Sequence, residues 1–275
     1  MAPVTTTPFR DALGLTPLGD GRYEAVLGPE FTVGPRALGS MLLVLAVRAA
    51  QERLAGPSGP ADPLAIGSEF LRAPEIGAVE LRTEVLKTGR TASVVAVRML
   101  QGDAVALSAT VTAGRLPDAE PVYADLPDLP VHPPADAIDP GAGPTPRGLL
   151  TSLATSCDLR LDPASLAFAR GEQGPAVVRG WVRPRGEEPD VLFALLAGDI
   201  LPPTVFNVAG RTGWAPTVQL TALMRSRPAP GWLRVQSRAA TVVDTWFDED
   251  ATVVDAAGRL VCQARQLALA PLAAR

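Results

Sequence analysis

Histidine and cysteine are scarce in this sequence, and their scarcity excludes several kinds of active site. Among 275 residues there are one histidine and two cysteines. The histidine, His132, lies in a proline-rich stretch, so we interpret it as a loop residue and expect neither a Ser-His-Asp nor a Cys-His system. Cys157 and Cys262 lack the spacing of metal ligands, which argues against a zinc site and against a secreted disulfide scaffold.

The sequence also lacks an excess of basic residues and a long hydrophobic run. Lysine and arginine total 25 against 29 aspartates and glutamates, which gives a net charge of -4. Binding of nucleic acid over a broad surface needs a strongly basic face, so we expect no nucleic-acid partner. No segment reaches the roughly 18 uncharged apolar residues of a membrane-spanning helix, and the N-terminus lacks the pattern of a signal peptide. We therefore expect a cytoplasmic protein without a membrane span.

Apolar residues are abundant, at 47%, and charged residues make up 20%, a balance typical of a globular chain. Proline is concentrated in residues 117–146, which contain nine prolines and neither lysine nor arginine. Because proline disfavours helices and central strands, we interpret this segment as an exposed linker. The sequence thus predicts an N-terminal domain at residues 1–116, a linker at 117–146 and a C-terminal domain at 147–275.

The two halves show the same order of predicted elements, in which a long apolar helix is followed by strands and a final hairpin. In the first half we predict the helix at residues 36–54, and strands or hairpins at 21–27, 64–71, 78–85 and 92–113. In the second half we predict a helix that begins near Asp190, strands at 165–169, 176–182, 217–224 and 232–238, and a hairpin at 241–269.

A local alignment supports an internal repeat. At an offset of 154 residues, Pro74 and Gly77 align with Pro228 and Gly231, and apolar positions alternate after both pairs. Proline and glycine are common in any turn, so the match gains weight only together with the shared order of elements. A long apolar helix followed by antiparallel strands favours an α+β fold, in which an antiparallel sheet wraps around a helix in each half.

Three polar residues of the second half stand at positions where the repeat has residues of different chemistry. Asp199 is the only charged residue in a sixteen-residue apolar segment, and its alternatives are a helix cap or a solvated face. Gln266 falls on the apolar face of the last strand, where a hydrogen bond to the backbone is the alternative. Thr217 begins a strand, and Gln219 and Thr221 share its predicted face. An Asp, a Gln and a Thr together are able to hold and activate a water.

The remaining motifs indicate no further chemistry. The chain has neither a glycine-rich phosphate loop with the required spacing nor a GxSxG element. Residues 244–250 are acidic but lack the spacing of an EF-hand, so we predict a solvated hairpin there.

Short motifs in both halves resemble the double-hotdog acyl-CoA thioesterases of type II, the TesB-like family and its actinobacterial relatives. In the first half these motifs are residues 9–15 (FRDALGL), 70–74 (FLRAP) and 87–90 (KTGR). In the second half they are residues 198–202 (GDILP), 214–217 (WAPT) and 258–266 (GRLVCQARQ). Their order and spacing cover nearly the whole chain. The sequence departs from the family at residues 33–39, where a glycine pair is usual, and at 218–224, which is less polar.

The resemblance implies a double hotdog in which an Asp, a Thr and a Gln of the C-terminal half hold a water that attacks the thioester carbonyl. In the family the Asp follows the apolar helix just before a proline, the Thr opens the next strand, and the Gln lies near the end of the last strand. These positions correspond to Asp199, Thr217 and Gln266. Asp199 is then the general base, and the other two side chains orient the water.

The expected function is hydrolysis of fatty acyl-CoA or related acyl thioesters, on CoA or on a carrier protein, in fatty acid metabolism. We expect no metal and no organic cofactor, and a homodimer or higher homo-oligomer. One alternative is a non-hydrolytic hotdog that binds acyl thioesters as a carrier, sensor or biosynthetic accessory. A second is a hotdog hydratase or dehydratase, which normally needs a catalytic histidine.

Overall fold

The computed structural model of the protein describes residues 7–56, 61–141, 153–209 and 212–271. Its dominant feature is one antiparallel sheet of 13 strands, to which both halves of the chain contribute. The first half supplies β1 (Thr16–Gly19), β2 (Arg22–Leu27), β5 (Asp62–Phe70), β6 (Gly77–Lys87), β7 (Ala92–Gln101) and β8 (Ala104–Gly114), and a separate small hairpin of β3 (Thr32–Val33) and β4 (Arg36–Ala37). The second half supplies β9 (Cys157–Leu161), β10 (Val177–Pro184), β11 (Thr217–Met224), β12 (Leu233–Arg238), β13 (Val242–Val243), β14 (Trp246–Val254) and β15 (Leu260–Leu269).

Helices make up a small part of the described chain. They are α1 (Pro8–Asp11), α2 (Gly39–Leu54), α3 (Leu153–Ser156), α4 (Val191–Ala197) and α5 (Val205–Ala209), with short 3-10 turns at Pro29–Phe31, Pro163–Ser165 and Ala167–Arg170. None of the helices in the described ranges is long and apolar enough to cross a membrane.

The two halves join at the centre of the sheet. The strand order is β1-β2-β6-β7-β8-β5-β11-β15-β14-β12-β10-β9, with β13 paired to β14, so β5 of the first half lies beside β11 of the second. In this junction Ser68 pairs with Leu220, and the Ser68 hydroxyl donates to the Leu220 carbonyl at 2.8 Å. The Arg227 guanidinium reaches back to Asp62 at 2.9 Å. The predicted α+β fold of two helix-wrapping antiparallel sheets is confirmed, with the two sheets fused into one.

The central helix of the first half, α2, is buried on nearly every side. Its residues Ser40 to Val47 are all buried, and leucine and alanine, which make up seven of the 16 residues of the helix, favour helix formation. The prediction that this helix begins at residue 36 is wrong by one turn. Arg36 and Ala37 instead pair with Val33 and Thr32 in the small hairpin.

The second half has a much shorter central helix than the apolar pattern indicates. α4 begins after Asp190, as predicted, and the Asp190 carboxylate caps it by accepting the Phe193 N–H at 2.8 Å. It ends at Ala197, because Pro202 and Pro203 prevent a continuous helix toward α5. Asp199 therefore lies in an irregular segment just beyond the C-terminus of α4.

The predicted strand at residues 165–169 is wrong, since this stretch forms 3-10 turns. The Asp162 carboxylate accepts the Ala164 N–H at 3.0 Å, and Asn207 accepts the Phe168 N–H at 3.2 Å, so side chains satisfy backbone groups that a strand would pair. The outer strand of this half is β9 instead, which pairs with β10.

The described part of the proline-rich segment, residues 117–141, contains neither a helix nor a strand and is mostly exposed, His132 included. It is nevertheless attached to the second half. The Trp181 indole donates to the Pro130 carbonyl at 2.8 Å, and Arg234 donates to the Leu129 carbonyl at 2.9 Å. A single bridge between Ile138 and Leu161 brings the end of the segment to β9. Residues 142–146 of the predicted linker lie outside the described ranges.

Candidate active site

The fold brings together the three side chains that the sequence singled out. The Gln266 amide nitrogen donates to Asp199 Oδ1 at 3.2 Å, and the Thr217 hydroxyl donates to Gln266 Oε1 at 2.5 Å. Asp199 comes from the segment after α4, Thr217 from the first position of β11 and Gln266 from the later part of β15. Gln266 therefore connects the three side chains, since it is hydrogen-bonded to both Asp199 and Thr217.

A bulge in β11 turns Thr217 toward Gln266. In the regular part of the strand Leu220 pairs with Gln266, but between Thr217 and Gln219 the register shifts, so that Thr217 rather than residue 218 pairs with Ala268. Paired residues share one face of the sheet, and the bulge therefore places Thr217 on the inner face with Gln266. The prediction that Gln219 and Thr221 share the face of Thr217 is wrong. They bond to each other at 2.9 Å on the exposed outer face.

The N-terminus of α2 lies against Asp199, so the first half contributes to the site. The backbone N–H of Ser40 lies near the Asp199 carboxylate and favours its ionised form. Gly39 leaves little space here: a β-carbon at this position would lie 3.5 Å from Asp199 Oδ2 and 3.3 Å from the Phe70 ring. The positive end of the helix dipole thus faces a carboxylate, which stabilises negative charge.

A fourth polar residue, Glu249 of β14, completes the group. Its Oε2 accepts the Thr204 backbone N–H and the Thr204 hydroxyl, each at 2.8 Å, and its Oε1 accepts the Gln266 amide at 3.3 Å. Glu249 is only 4% exposed. The predicted solvated hairpin at residues 244–250 is therefore wrong at this residue. The signal was the strand alternation, because Glu249 has the same parity as the buried Phe247 and Ala251.

Both carboxylates are shifted toward their protonated forms. Burial raises the pKa of Asp199 to about 7, and the negative charge of Glu249 acts in the same direction, while the Ser40 N–H and the Gln266 amide oppose the shift. Burial likewise raises the pKa of Glu249 against the hydrogen bonds from Thr204. A carboxylate with a pKa near neutrality is suited to accept a proton from water.

These residues line a cavity of about 730 Å³ between the two halves. Its walls are mainly apolar, and the large side chains include Leu42, Phe70, Ile200, Phe206 and Trp214. Some of the lining residues are exposed, among them Arg36, Leu71, Arg72 and Trp214, whereas others, such as Leu161, Leu166 and Phe206, are buried.

The described residues contain no group of three or more His, Cys, Asp or Glu placed to hold a metal ion. His132 does not line the cavity. The two cysteines are buried, and burial raises the pKa of each thiol to about 12, so neither is a reactive nucleophile.

The fold and the cavity define a double hotdog protein with one polar cluster on an apolar tunnel. Two family models match the chain, the acyl-CoA thioesterase N-terminal domain over residues 27–114 and the acyl-CoA thioesterase C-terminal domain over residues 125–270. The chain belongs to the acyl-CoA thioesterase family.

Other proteins are similar to the chain over nearly its whole length. An uncharacterized protein of Mycobacterium tuberculosis is 38% identical over 288 residues, which cover 96% of this chain and 98% of the relative. The crystal structure of a predicted thioesterase II from Thermobifida fusca YX is similar with a TM-score of 0.83 and 32% identity, covering 96% of this chain and 99% of that one. A hotdog protein of unknown function from Alicyclobacillus acidocaldarius has a TM-score of 0.81 at 22% identity, over 98% and 100% of the two chains, which shows the same fold.

Proposed function

We propose that the protein hydrolyses acyl-CoA thioesters to the free acid and CoA, with Asp199 as the general base. The observation that carries this proposal is the chain of contacts from Asp199 through Gln266 to Thr217 on the wall of an apolar cavity. Membership of the acyl-CoA thioesterase family supports the reaction class.

The geometry suggests a division of labour among the three side chains. Asp199 in its ionised form accepts a proton from a water, whose oxygen then attacks the thioester carbonyl carbon. Thr217 uses its proton on Gln266, so the lone pairs of its hydroxyl oxygen remain available to orient the water. The carbon–sulfur bond breaks in the second step, and the CoA thiolate leaves and takes up the proton that Asp199 received from the water.

The N-terminus of helix α2 is placed to stabilise the oxyanion that forms after the water attacks and before the carbon–sulfur bond breaks. Gly39, its first residue, lines the cavity beside Asp199, so the positive end of this 16-residue helix faces the reacting carbonyl. No metal or organic cofactor enters this mechanism, and each of its steps is a proton transfer or an acyl transfer to water.

The lining of the cavity suits both parts of an acyl-CoA. Its buried apolar residues are complementary to an acyl chain, whose burial is favourable by about 0.8 kcal/mol per methylene. The exposed Arg36 and Arg72 are complementary to the phosphates of CoA. The hydratase alternative is not supported by this site, because His132 lies outside the cavity.

The test is release of free thiol from a panel of acyl-CoAs by the purified protein and by Asp199→Asn. We expect hydrolysis by the wild-type protein and a loss of kcat of about 10³-fold or more in the variant, because the general base is removed. Asp103→Asn, in the exposed turn between β7 and β8, is the matched control and should retain full activity.

Full activity of Asp199→Asn would contradict the mechanism. Binding of acyl-CoA without thiol release would instead support the alternative of a non-hydrolytic carrier or sensor. A panel that includes acyl groups on a carrier protein separates CoA from carrier-bound substrates.

A further inference from the structure

Glu249 has no part in the mechanism above, yet it is the most enclosed charged side chain of the site. It is 4% exposed, whereas its strand neighbours Asp248 and Asp250 point to the outer face. Both of its oxygens accept hydrogen bonds, Oε2 from Thr204 and Oε1 from Gln266. The Ser237 side chain of β12 also favours the ionised form of Glu249. Burial of a carboxylate is costly, so a side chain held in this way calls for an explanation.

We infer that Glu249 is a positioning residue of the proposed hydrolase, whose carboxylate fixes the Gln266 amide so that the amide oxygen faces Thr217 and the NH2 group faces Asp199. This inference rests on the proposed function. A side-chain amide has nearly the same shape when its oxygen and nitrogen are exchanged, so its orientation has to be set by its partners. The Thr217 hydroxyl is able to donate or accept, and alone it does not distinguish the two orientations.

The two carboxylates do distinguish them. The Gln266 nitrogen donates to Asp199 at 3.2 Å and to Glu249 at 3.3 Å, and an ionised carboxylate only accepts. During the proposed reaction Asp199 takes up the proton of the water and becomes a possible donor. Glu249 then remains the partner that requires an NH2 group, and it keeps Gln266 in place through the reaction.

Glu249 also acts on Asp199 through its charge. Among the described residues that line the cavity, the charged ones are Asp199, Glu249, Arg36 and Arg72, and the two arginines are exposed. The neutral groups around the pair are Ser40 from α2, Thr204 before α5, Thr217 from β11, Ser237 from β12 and Gln266 from β15. The Glu249 charge raises the pKa of Asp199, so its removal should lower that pKa.

The decisive variant is Glu249→Gln. A glutamine presents one oxygen and one NH2 group in place of two oxygens. Its NH2 group must therefore face a donor, either the Thr204 N–H or the Gln266 amide. We expect kcat on the best acyl-CoA of the panel to fall about 10- to 100-fold. We also expect the acidic limb of the pH profile of kcat/KM to move about 1 unit to lower pH.

Two variants make the result specific. Glu249→Asp keeps the charge on a shorter side chain, so it should lower kcat while the acidic limb stays where it is in the wild-type protein. Asp250→Asn changes a carboxylate on the same strand that pairs with Arg265 on the outer face, and both kcat and the acidic limb should be unchanged. If Glu249→Gln does not fold, judged by circular dichroism, an unchanged kcat in Glu249→Asp overturns the inference.

A purely structural role predicts a lower kcat in Glu249→Gln with the acidic limb unmoved, and that result overturns the inference, as does a variant with wild-type kinetics.

Nitrogen-15 NMR of the Gln266 side chain gives a readout that needs no turnover. Slow exchange of its NH2 protons in the wild-type protein and fast exchange in Glu249→Gln are expected, and equal exchange in both contradicts the inference. An inactive wild-type protein with these NMR signatures would refute the proposed hydrolysis and leave the positioning of Gln266 standing.

Discussion

Asp199 combines two demands that conflict in any buried base. It must lose its proton to work, but burial and the charge of Glu249 hold its pKa at about 7. The N-terminus of α2 and the Gln266 amide supply partial compensation without a full positive charge, which would lower the pKa and weaken the base. The residue is therefore tuned at the expense of the stability of the folded state.

That cost has a defined dependence on pH. The pKa of Asp199 in the folded protein, about 7, lies above the 3.8 of an ordinary aspartate. Between these values the folded protein binds a proton that the unfolded chain has lost, so stability falls as pH rises through this window. Asp199→Asn removes the titrating group. From about pH 4 to about pH 8, the wild-type protein should lose on the order of 1–4 kcal/mol of unfolding free energy relative to this variant.

Urea unfolding of both proteins at several pH values measures the difference, with Asp103→Asn as the control for the substitution itself. If the unfolding free energy of the wild-type protein does not fall relative to that of Asp199→Asn as pH rises, the pKa of Asp199 is not raised in the folded protein.

At the scale of the element, β11 shows how a single bulge decides which threonine belongs to the site. The inner positions of the regular strand are Leu220 and Ala222, and the shift before Gln219 moves Thr217 onto that face. Thr217→Val removes the hydroxyl that donates to Gln266, so kcat should fall about 10-fold, with little change in stability because Thr217 is only partly buried.

Thr221→Val is the matched control, since the same change is made on the same strand at an exposed outer position, where the hydroxyl is hydrogen-bonded to the Gln219 side chain. It should retain the kcat of the wild-type protein in the thiol-release assay. Equal losses in both variants would show that the threonine hydroxyls act through the strand and not through Gln266.

The same strand marks the limit of prediction from sequence. The bounds of β11 and the positions of the long hairpins follow from the alternation of apolar residues, because a sheet with one buried face imposes a period of two. A bulge breaks that period by one residue and leaves no composition signal, so strict alternation places Thr217 on the wrong face. The apolar segment 191–206 indicates a helix longer than α4 for a related reason, since an apolar segment that is buried as irregular chain has the same composition as a buried helix.

The candidate site was predictable where a residue conflicts with its surroundings. Asp199 and Gln266 stand out because each is polar among apolar neighbours, and the fold brings them together. Glu249 conflicts in the same way with Phe247 and Ala251, but the acidic residues on either side hide it. Its role depends on contacts with Thr204 and Gln266, which are distant in the chain and become visible only in the folded protein.

At the scale of the whole molecule, the two central helices α2 and α4 have a cavity at each end of the pair, and the candidate site lies in one of the two cavities. A second cavity, of about 550 Å³, lies where the N-terminus of α4 meets the C-terminal part of α2. Several of its polar residues already have partners: Asp190 caps α4, Gln51 donates to the Ala61 carbonyl at 3.1 Å, and Glu52 pairs with Arg48 at 2.5 Å. The site at the other end of the helix pair needs both halves, because its base and amide come from the second and its helix N-terminus from the first.

The exposed residues of the cavity lining provide a test of this shared construction. Arg36 and Arg72 both belong to the first half, more than a hundred residues before Asp199, and both are exposed. If they bind the phosphates of CoA, the double variant Arg36→Ala/Arg72→Ala should raise KM for acyl-CoA about 3- to 10-fold, the modest effect of exposed charge pairs. The value of kcat should stay within about twofold, because neither guanidinium is among the hydrogen-bond partners of Asp199, Thr217 or Gln266 in the described structure.

The informative comparison uses the same acyl group on pantetheine, which carries the thioester but none of the phosphates. For this substrate the double variant and the wild-type protein should have equal KM values, and added salt should weaken the binding of acyl-CoA more in the wild-type protein than in the variant. Arg98→Ala, an exposed arginine on β7 away from the cavity, controls for the loss of positive charge. An equal rise in KM for both substrates would mean that the two arginines maintain the shape of the cavity entrance and do not bind phosphate. The phosphates of CoA would then be bound by other groups.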